Sequence, residues 1–355
     1  MTDSNRDAAF GLFDWIDFGR PEEVGAQYRQ RLRMLEYADA AGFYCYHLAE
    51  HHLTTLSAAP SPGIFLAAAS QRTRRIRLGA LVFLLPLYHP VRLAQEICML
   101  DHLSGGRLDL GTGRGISPIE LRLLGADAED SRGAHEEALR ILIEVLSTGR
   151  LAGFEGKHFR YEPLDIVMRP VQRPYPPLWY PVIDIDRARW AGSQGINTMT
   201  LLGSGPDTRA VVDAYFEAWD KNRGDAHRLN AHVPAPKFGL MRQVYVAEDH
   251  ERAMREARAA YAAHRERFLY LWAQHGQAES HAYLKDIDLQ LGSGGLLIGT
   301  PAEIREQVAA QLDVTGANYF AANFTFGDLT DAQVMRSIAL FAEEVMPHVV
   351  PTVAG

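Results

Sequence analysis

Two adjacent histidines follow the end of an apolar stretch early in the chain. Glu50, His51 and His52 come directly after the strand-like run Phe43–Ala49. A histidine can hold or release a proton near neutral pH, so this position could serve acid–base chemistry. Successive side chains of a strand point to opposite faces, and parity with His47 makes His51 the inward-facing candidate. A hydrogen-bonded structural role is the alternative, and for His47 or His52 alone it is favoured.

The same spacing argues against a metal site. Adjacent histidines on a regular strand cannot both bind one metal ion, and the sequence has neither a His-Glu-x-x-His nor a Cys-x-x-Cys pattern. We therefore predict no metal ligand in this chain.

A second candidate group follows the apolar run Arg107–Gly111. Glycines alternate with Thr112 and Arg114 up to Gly115. Glycines let a ligand approach the backbone, and a guanidinium offers a planar charged fork to a phosphate. Arg132, at the start of the next predicted helix, adds a second cation. The motif is weak by itself because it is not the six-residue glycine fingerprint of dinucleotide sites, and a glycine-rich turn with a surface arginine explains it equally well.

The elements that would position these residues alternate between strand and helix patterns. Eight alternations indicate a (β/α)8 barrel, whose sites lie at the carboxyl ends of its parallel strands; a doubly wound open sheet is the alternative. The predicted strands are Phe10–Trp15, Phe43–Ala49, Ile76–Leu85, Arg107–Gly111, Leu178–Ile183, Ile196–Leu202, Lys237–Val246 and Asn318–Phe326.

The chain is predicted to form a single barrel domain over residues 1–355, with two insertions. Such barrels use about 250 residues, so the chain has length to spare. Segment 151–177 is rich in Pro, Tyr and Arg and lacks helical periodicity, which predicts an extended excursion. Segment 276–295 has no sustained apolar face, and loops of that length are usually lids or disordered, so we expect a mobile lid.

Helix starts carry capping patterns, in which a Ser or Thr is followed three residues later by Glu or Gln. Ser117–Glu120 and Thr300–Glu303 each combine such a pair with a proline at the first helical position. Thr330 with Gln333 predicts a third. Full capping boxes are expected at Ser117 and Thr300.

Composition narrows the partners. The chain carries 44 acidic and 36 basic residues, a net charge of −8, and its Lys and Arg residues form no long run. Nucleic-acid binding needs a basic face, so no such partner is expected. The first residues are polar and no run of about 18 apolar residues occurs, so neither a signal peptide nor a membrane span is expected. Cys45 and Cys98 lie in apolar runs, which indicates buried thiols in a reducing compartment. We therefore expect a cytoplasmic protein.

Taken together, these blocks resemble the bacterial-luciferase-like flavin monooxygenases. The resemblance covers nearly the whole chain, and the first blocks are its most specific part. It rests on Glu50–His52, Leu84–Arg92, Leu100–Arg107, Gly111–Gly115, Pro177–Pro181, Gly299–Glu303 and Ser337–Pro347.

The resemblance implies a (β/α)8 barrel that binds FMN at its mouth. Reduced FMN, supplied by a separate reductase, would activate O2 for the oxidation of a small organic substrate. Family members are frequently dimers, so a homodimer is expected. One alternative is a deazaflavin (F420)-dependent oxidoreductase, against which the Glu-His-His start favours FMN. Another is a non-catalytic flavin-binding or partner subunit.

Site residues carry over by position. His51 matches the family's catalytic histidine, with Glu50 and His52 beside it. Gly113 occupies the place of a reactive cysteine in luciferase, so no thiol chemistry is expected there. Leu81–Val82 matches a non-prolyl cis peptide that lies under the flavin in several members.

The resemblance also assigns a phosphate site. Arg114 and Arg132 match the phosphate-binding arginines, with the Ile116 amide beside them. The chain departs from the family after the fifth strand, where hydroxyl or amide side chains are common but Asp184 and Asp186 stand here. These acids would repel a phosphate unless Arg187 and the other arginines offset them. We expect that they cap the helix and point away; weakened flavin binding is the alternative.

Overall fold

The computed structural model describes residues 8–201, 203–279 and 286–349. Within these ranges the strands are β1 (Ala9–Asp14), β2 (Cys45–Leu48), β3 (Arg77–Leu84), β4 (Leu108–Gly113), β5 (Arg150–Leu151), β6 (Phe154–Glu155), β7 (Arg160–Tyr161), β8 (Leu164–Asp165), β9 (Leu178–Trp179), β10 (Thr198–Thr200), β11 (Phe238–Val246), β12 (Leu296–Gly299) and β13 (Tyr319–Asn323). The α-helices are α1 (Val24–Ala41), α2 (Pro62–Arg72), α3 (Pro90–Ser104), α4 (Pro118–Leu123), α5 (Ser131–Thr148), α6 (Ile185–Gln194), α7 (Pro206–Asn222), α8 (His250–Gln274), α9 (Ile287–Gly292), α10 (Pro301–Thr315) and α11 (Asp331–Leu340).

Eight parallel strands form a nearly closed ring. Hydrogen-bonded pairing runs from β10 through β11, β13, β1, β2, β3 and β4 to β9. A single parallel bridge between Trp179 and Asn197 then joins β9 to β10. Helices alternate with these strands, as parallel pairing requires. The predicted (β/α)8 barrel is therefore confirmed, and the open doubly wound sheet is wrong.

One strand was not predicted. β12, Leu296–Gly299, pairs in parallel with the carboxyl half of β11. Gln243 of β11 is opposite Asn323 of β13 and also opposite Leu296 of β12, so the two strands flank β11 from opposite sides. β12 thus lies outside the ring, beyond the end of β10.

The two insertions contain short elements. β5 pairs antiparallel with β8, and β6 with β7, within the expected excursion. The segment expected to be a lid includes α9, and its residues 280–285 lie outside the described part of the chain. The expected fifth strand, Leu178–Ile183, is regular only over Leu178–Trp179.

Two apolar cores lie on the two faces of the barrel wall. Alternate strand residues point inward and fill the ring, while the others pack outward beneath the helices. His47 is buried inside the ring, 2.9 Å from the Tyr319 hydroxyl through its Nε2. Because the centre is filled by side chains, a ligand site is restricted to the mouth. The interior cluster comprises Phe13, Trp15, Ala49, Leu56, Leu81, Trp179, Met199, Met241, Tyr319 and Ala321.

Helix ends follow the sequence signals. The capping boxes at Thr300 and Thr330 are both formed. α1 ends at Gly42, whose φ of 90° is in the left-handed region that glycine adopts without strain. Among the described helices, none is both long and apolar enough to cross a membrane.

Candidate active site

The loop after β2 and the first turn of α4 meet at the barrel mouth. His51 Nδ1 lies 3.0 Å from Glu120 Oε1, and the His52 backbone N–H donates to Glu120 Oε2 at 2.8 Å. Glu120 is only 4% exposed, so both of its oxygens are committed to this loop. An ionised carboxylate accepts and does not donate, so it holds the proton of a neutral His51 on Nδ1. The Nε2 atom of His51 is then the nitrogen available to a reactant.

A second buried carboxylate orients the neighbouring histidine. Glu50 Oε1 lies 2.8 Å from His52 Nε2, while its Oε2 accepts from the Tyr88 hydroxyl at 2.8 Å and from the Leu84 N–H at 3.2 Å. Burial raises the pKa of the Glu50 carboxyl, and the hydrogen bonds to it act in the opposite direction. Glu50 and His52 thus form a supporting pair beside His51, and the two adjacent histidines are held by two different glutamates.

The position of Glu120 corrects one prediction. Ser117 caps α4 by accepting from the Glu120 N–H at 3.3 Å. The Glu120 side chain, however, contacts the loop after β2 and does not return to the Ser117 backbone, so the full capping box expected there is wrong. A charge-assisted bond to a half-buried histidine outweighs a local bond to a helix end that water can also satisfy.

Leu81 and Val82 lie in the wall beneath this cluster, and the peptide bond between them is cis. β3 has a register irregularity against β4 between Ala80 and Phe83. A Cβ added to Gly113 would lie 2.5 Å from Val82 Cγ2, so the glycine here makes room for β3. The sequence predicts that these glycines let a ligand approach the backbone, but at Gly113 close packing of β3 against β4 is the physical reason for a glycine.

Three arginines surround a pocket at the same end of the barrel. Arg114 follows β4, Arg132 lies in the first turn of α5, and Arg187 lies in the first turn of α6. The pocket has a volume of about 80 Å³, room for a phosphate group but not for a tricyclic ring. Its lining is Arg114, Arg132, His135, Glu136, Leu139, Tyr180, Arg187 and Trp190.

These cations have few anionic partners. Among the described residues, no carboxylate oxygen lies within 4.0 Å of the Arg114 or Arg132 guanidinium, and Arg187 reaches Glu136 only at 3.9 Å. Burial, with the nearby Arg187 and Arg114, lowers the pKa of His135 to about 4. The pocket is thus a positively charged site whose histidine is neutral at pH 7, an arrangement that suits an anion.

The two aspartates that departed from the family pattern are directed elsewhere. Asp184 is the N-cap of α6 and accepts from the Arg187 N–H at 2.8 Å. Asp186 is exposed and pairs with Arg189 at 3.6 Å. Both line a separate groove and are absent from the lining of the arginine pocket. Asp184 therefore has the capping geometry that we expected, and Asp186 lies outside the pocket without capping the helix.

Sequence reasoning missed two residues that complete these groups. Glu120 was hidden by its capping pattern, which explained it locally. His135 stands three residues after Arg132, a spacing that places both on one helix face, and this could have identified it. Ile116 is 74% exposed beside Arg114 and outside the pocket lining. No group of three or more His, Cys, Asp or Glu residues in the described ranges could hold a metal ion.

Comparison with known proteins places this geometry in a family. A family model described as luciferase-like monooxygenase matches residues 9–319. The uncharacterized protein y4wF of Sinorhizobium fredii is 38% identical over 336 residues, covering 94% of this chain and 96% of that protein. The 4-hydroxyprotoasukamycin monooxygenase of Streptomyces nodosus subsp. asukaensis is 27% identical over 332 residues, covering 92% and 88%. The oxygenase component of flavin-dependent trigonelline monooxygenase of Acinetobacter baylyi is 28% identical over 250 residues, covering 69% and 66%.

Solved structures share the fold. Monooxygenase RslO1 from Streptomyces bottropensis has a TM-score of 0.82 at 27% identity, covering 96% of this chain and 99% of that one. The oxygenating constituent of 3,6-diketocamphane monooxygenase from Pseudomonas putida, in complex with FMN, has a TM-score of 0.75 at 18% identity, covering 98% and 100%. An F420-dependent secondary alcohol dehydrogenase, bound to an F420–acetone adduct, has a TM-score of 0.72 at 19% identity, covering 97% and 99%.

The last two likenesses concern the fold alone, whereas the family match spans most of the sequence. From the barrel, the histidine–glutamate cluster and these matches, the chain belongs to the luciferase-like monooxygenases and is an oxidoreductase.

Proposed function

We propose that the protein is the oxygenase of a two-component system that uses reduced FMN and O2 to oxidise a small organic molecule. The observation that carries this proposal is the arginine pocket at the barrel mouth, the end that also holds the histidine cluster. Three guanidinium groups converge there, and two of them have no carboxylate within 4.0 Å among the described residues. A dianionic phosphate would supply the missing negative charge.

Arg114, Arg132 and Arg187 would hold the phosphate group of the flavin. The Arg187 N–H is already occupied by Asp184, so Arg187 would act through its side chain. The Leu81–Val82 segment would support the flavin ring, and Gly113 leaves room for the Val82 side chain. Bound reduced FMN would supply the electrons for O2 activation.

His51 would exchange a proton at Nε2 during the reaction. Its Nδ1 faces the Glu120 carboxylate at 3.0 Å, which fixes both the ring orientation and the tautomer. His52 faces Glu50 and would support the loop. General acid–base catalysis of this kind contributes about 10²–10⁴-fold to a rate.

A separate flavin reductase is part of the proposal. One relative supports it by name, the oxygenase component of flavin-dependent trigonelline monooxygenase. F420 remains the alternative cofactor, because an F420 enzyme shares the fold.

Flavin binding tests the arginine pocket. Titration calorimetry with FMN should show binding to the wild type that Arg114→Ala and Arg132→Ala each weaken about 10- to 100-fold, the effect of one lost charged hydrogen bond. Arg189→Ala is the matched control, because Arg189 lies on α6 but pairs with Asp186 outside the pocket. Unchanged affinity in both pocket variants would refute the phosphate assignment. Tight binding of F420 with no binding of FMN would replace the cofactor.

Turnover tests the histidine. Oxygen uptake in the presence of chemically reduced FMN and a candidate substrate should yield an oxygenated product. His51→Ala should lower the turnover rate about 100-fold or more without changing FMN affinity. A variant that keeps the full rate would remove His51 from the mechanism.

We also propose a homodimer formed through the exposed faces of α2 and α3. Ile64 on α2 is 75% exposed, and Met99 and Leu103 on α3 are 52% and 46% exposed. The fully exposed Val167 borders this surface, because the adjoining Met168 carbonyl accepts from Cys98 of α3. An apolar patch of this kind on a soluble fold marks an association site.

Light scattering tests the dimer. The double variant Ile64→Glu, Leu103→Glu should convert a dimer into a monomer. Val314→Glu is the control, since Val314 is about as exposed (53%) as Met99 (52%) but lies on α10. A wild-type protein that is monomeric at micromolar concentration would refute the assembly.

A further inference from the structure

Two amide side chains face the barrel mouth from adjacent strands. Met241 of β11 and Ala321 of β13 point into the ring, and two residues further along each strand the side chains of Gln243 and Asn323 point the same way. Gln243 and Asn323 are direct partners across the β11–β13 pair. Partners on neighbouring strands lie about 5 Å apart, so the two amides stand side by side.

The neighbours of each amide settle its orientation. Gln243 Oε1 accepts from the Arg265 guanidinium at 2.5 Å, which can only donate. Asn323 Nδ2 donates to the Phe13 carbonyl at 2.9 Å, which can only accept. The Gln243 amino group and the Asn323 oxygen are therefore the atoms left over.

Both leftover atoms are buried and have no hydrogen-bond partner. Gln243 is 3% exposed and Asn323 is fully buried. A buried polar atom without a partner is unfavourable by about 1–3 kcal/mol, and here one donor and one acceptor stand at neighbouring positions. Such a pair is matched by a single group that accepts from one side and donates to the other.

α8 forms the opposite side of this position. His264, next to Arg265 in sequence, is fully buried, with Nδ1 at 2.9 Å from Asp17 Oδ2. Its Nε2 also has no partner. Its ring lies 5.3 Å from the Trp15 ring and 6.4 Å from the Phe268 ring. Met241 and Ala321, below the two amides, belong to one interior cluster with the aromatic residues Phe13, Trp15 and Tyr319. The Arg265 guanidinium that bonds Gln243 lies 5.3 Å from the Phe268 ring.

We propose that Gln243 and Asn323 form a substrate subsite for the hydroxyl group of an otherwise apolar organic molecule. The hydroxyl oxygen accepts from Gln243 Nε2, and its hydrogen is donated to Asn323 Oδ1. A ketone or carboxylate would leave Asn323 Oδ1 unsatisfied, and an ammonium group would leave the Gln243 donor unsatisfied. Because α8 covers these atoms, the substrate reaches them by displacing side chains of that helix. The proposal rests on the proposed function, since it assigns the substrate of that same barrel mouth.

A matched pair of probes tests the subsite without turnover. 4-Ethylphenol and its methyl ether, 4-ethylanisole, differ in the hydrogen that only the phenol can donate. Their affinities for the flavin-free protein are measured by saturation-transfer NMR and calorimetry. The phenol should bind at least about 5-fold more tightly, because the ether leaves Asn323 Oδ1 unpaired.

Two variants separate the two hydrogen bonds. In Asn323→Leu the phenol should lose its advantage over the ether, because the acceptor is gone. In Gln243→Met both probes should weaken, because each accepts from this donor. Arg242→Met is the control, since Arg242 lies on the same strand but contacts Gln311 on the outer face. Its probe affinities should equal those of the wild type.

Equal binding of phenol and ether to the wild type would overturn the proposal, and this comparison does not require the variants to fold. A crystal soaked with 4-ethylphenol in which only water lies between the two amides would overturn it as well. FMN titration of the same samples keeps the two proposals apart: normal FMN binding without phenol selectivity removes the subsite alone, and selectivity without FMN binding removes the cofactor assignment alone.

Discussion

Replacing Glu120 with glutamine tests how His51 is controlled. The carboxylate faces two donors, His51 Nδ1 at 3.0 Å and the His52 N–H at 2.8 Å. An amide of the same shape has one acceptor atom and one donor group, so it can satisfy only one of these two donors. The variant therefore preserves volume and changes only the hydrogen-bond pattern.

The magnitude follows from the bond that is lost. If the amide oxygen stays with the His52 N–H, the amino group faces His51 Nδ1 and favours the tautomer with its proton on Nε2. A hydrogen bond to a charged group contributes about 1.5–3 kcal/mol, which corresponds to roughly 10- to 100-fold in the population of the productive tautomer. We expect a decrease of that size in kcat, with FMN affinity unchanged because the arginine pocket is not altered.

Two assays measure the change. Nitrogen-15 NMR of the imidazoles reports the tautomer of His51 directly, with the proton on Nδ1 in the wild type and on Nε2 in Glu120→Gln. Oxygen uptake with reduced FMN gives kcat. Glu303→Gln is the matched control, because Glu303 is also the third residue of a helix behind a threonine cap and also contacts a histidine, His250.

An unchanged His51 tautomer in Glu120→Gln, together with wild-type kcat, would refute the reasoning. An equal decrease in Glu303→Gln would show that loss of any carboxylate from the first turn of a helix is enough, and would refute it as well.

Three further outcomes are expected. Burial raises the pKa of Glu50, so the folded protein loses stability as the pH rises through that pKa and the buried carboxyl ionises. Glu50→Gln removes this ionisation and should therefore raise the melting temperature more at pH 8 than at pH 5. Lowering the pH from 7 to 5 should reduce the unfolding free energy by about 2 kcal/mol, because burial lowers the pKa of His47 to about 3 and protonation then favours the unfolded chain. Urea titrations at the two pH values should show a smaller decrease in unfolding free energy for His47→Leu. Asp184→Ala should lower the unfolding free energy by about 1 kcal/mol, because it removes the cap on the Arg187 N–H, whereas Asp184→Asn should keep the cap. Calorimetry should show that both variants change FMN affinity by less than about 3-fold.

The barrel was predictable because its strands are buried on both faces and stand out as apolar runs. β11 is buried at all nine positions, and it was predicted nearly to the residue. β12 was missed because its four residues follow a glycine- and serine-rich stretch and directly precede a helix signal. β9 was predicted too long because its pairing with β4 covers only Leu178 and Trp179. Beyond them, backbone bonds continue on one side only, from Tyr180 to Asn197 and from Val182 to Met199, and this cannot be seen in one sequence.

In the candidate site, too, the residues marked by local sequence could be predicted, and those whose role depends on distant partners could not. His51 and the arginines could be found from strand ends and charge type. The role of Glu120 could not, because two interactions competed for one carboxylate and the outcome depended on a loop 69 residues away. The Gln243–Asn323 pair could not be predicted either, because it depends on the register between two strands that are distant in sequence.

The placement of β12 outside the ring has a consequence for engineering. The hydrogen-bonded path of the wall strands passes from β10 through β11 to β13 without β12, so β12 can be rebuilt without interrupting that path. The stretch between α8 and α10 could then be exchanged for that of a relative as a cassette, with shorter or longer versions grafted onto the same scaffold. Chimeras of this kind would vary what the mouth admits while the wall beneath it stays intact.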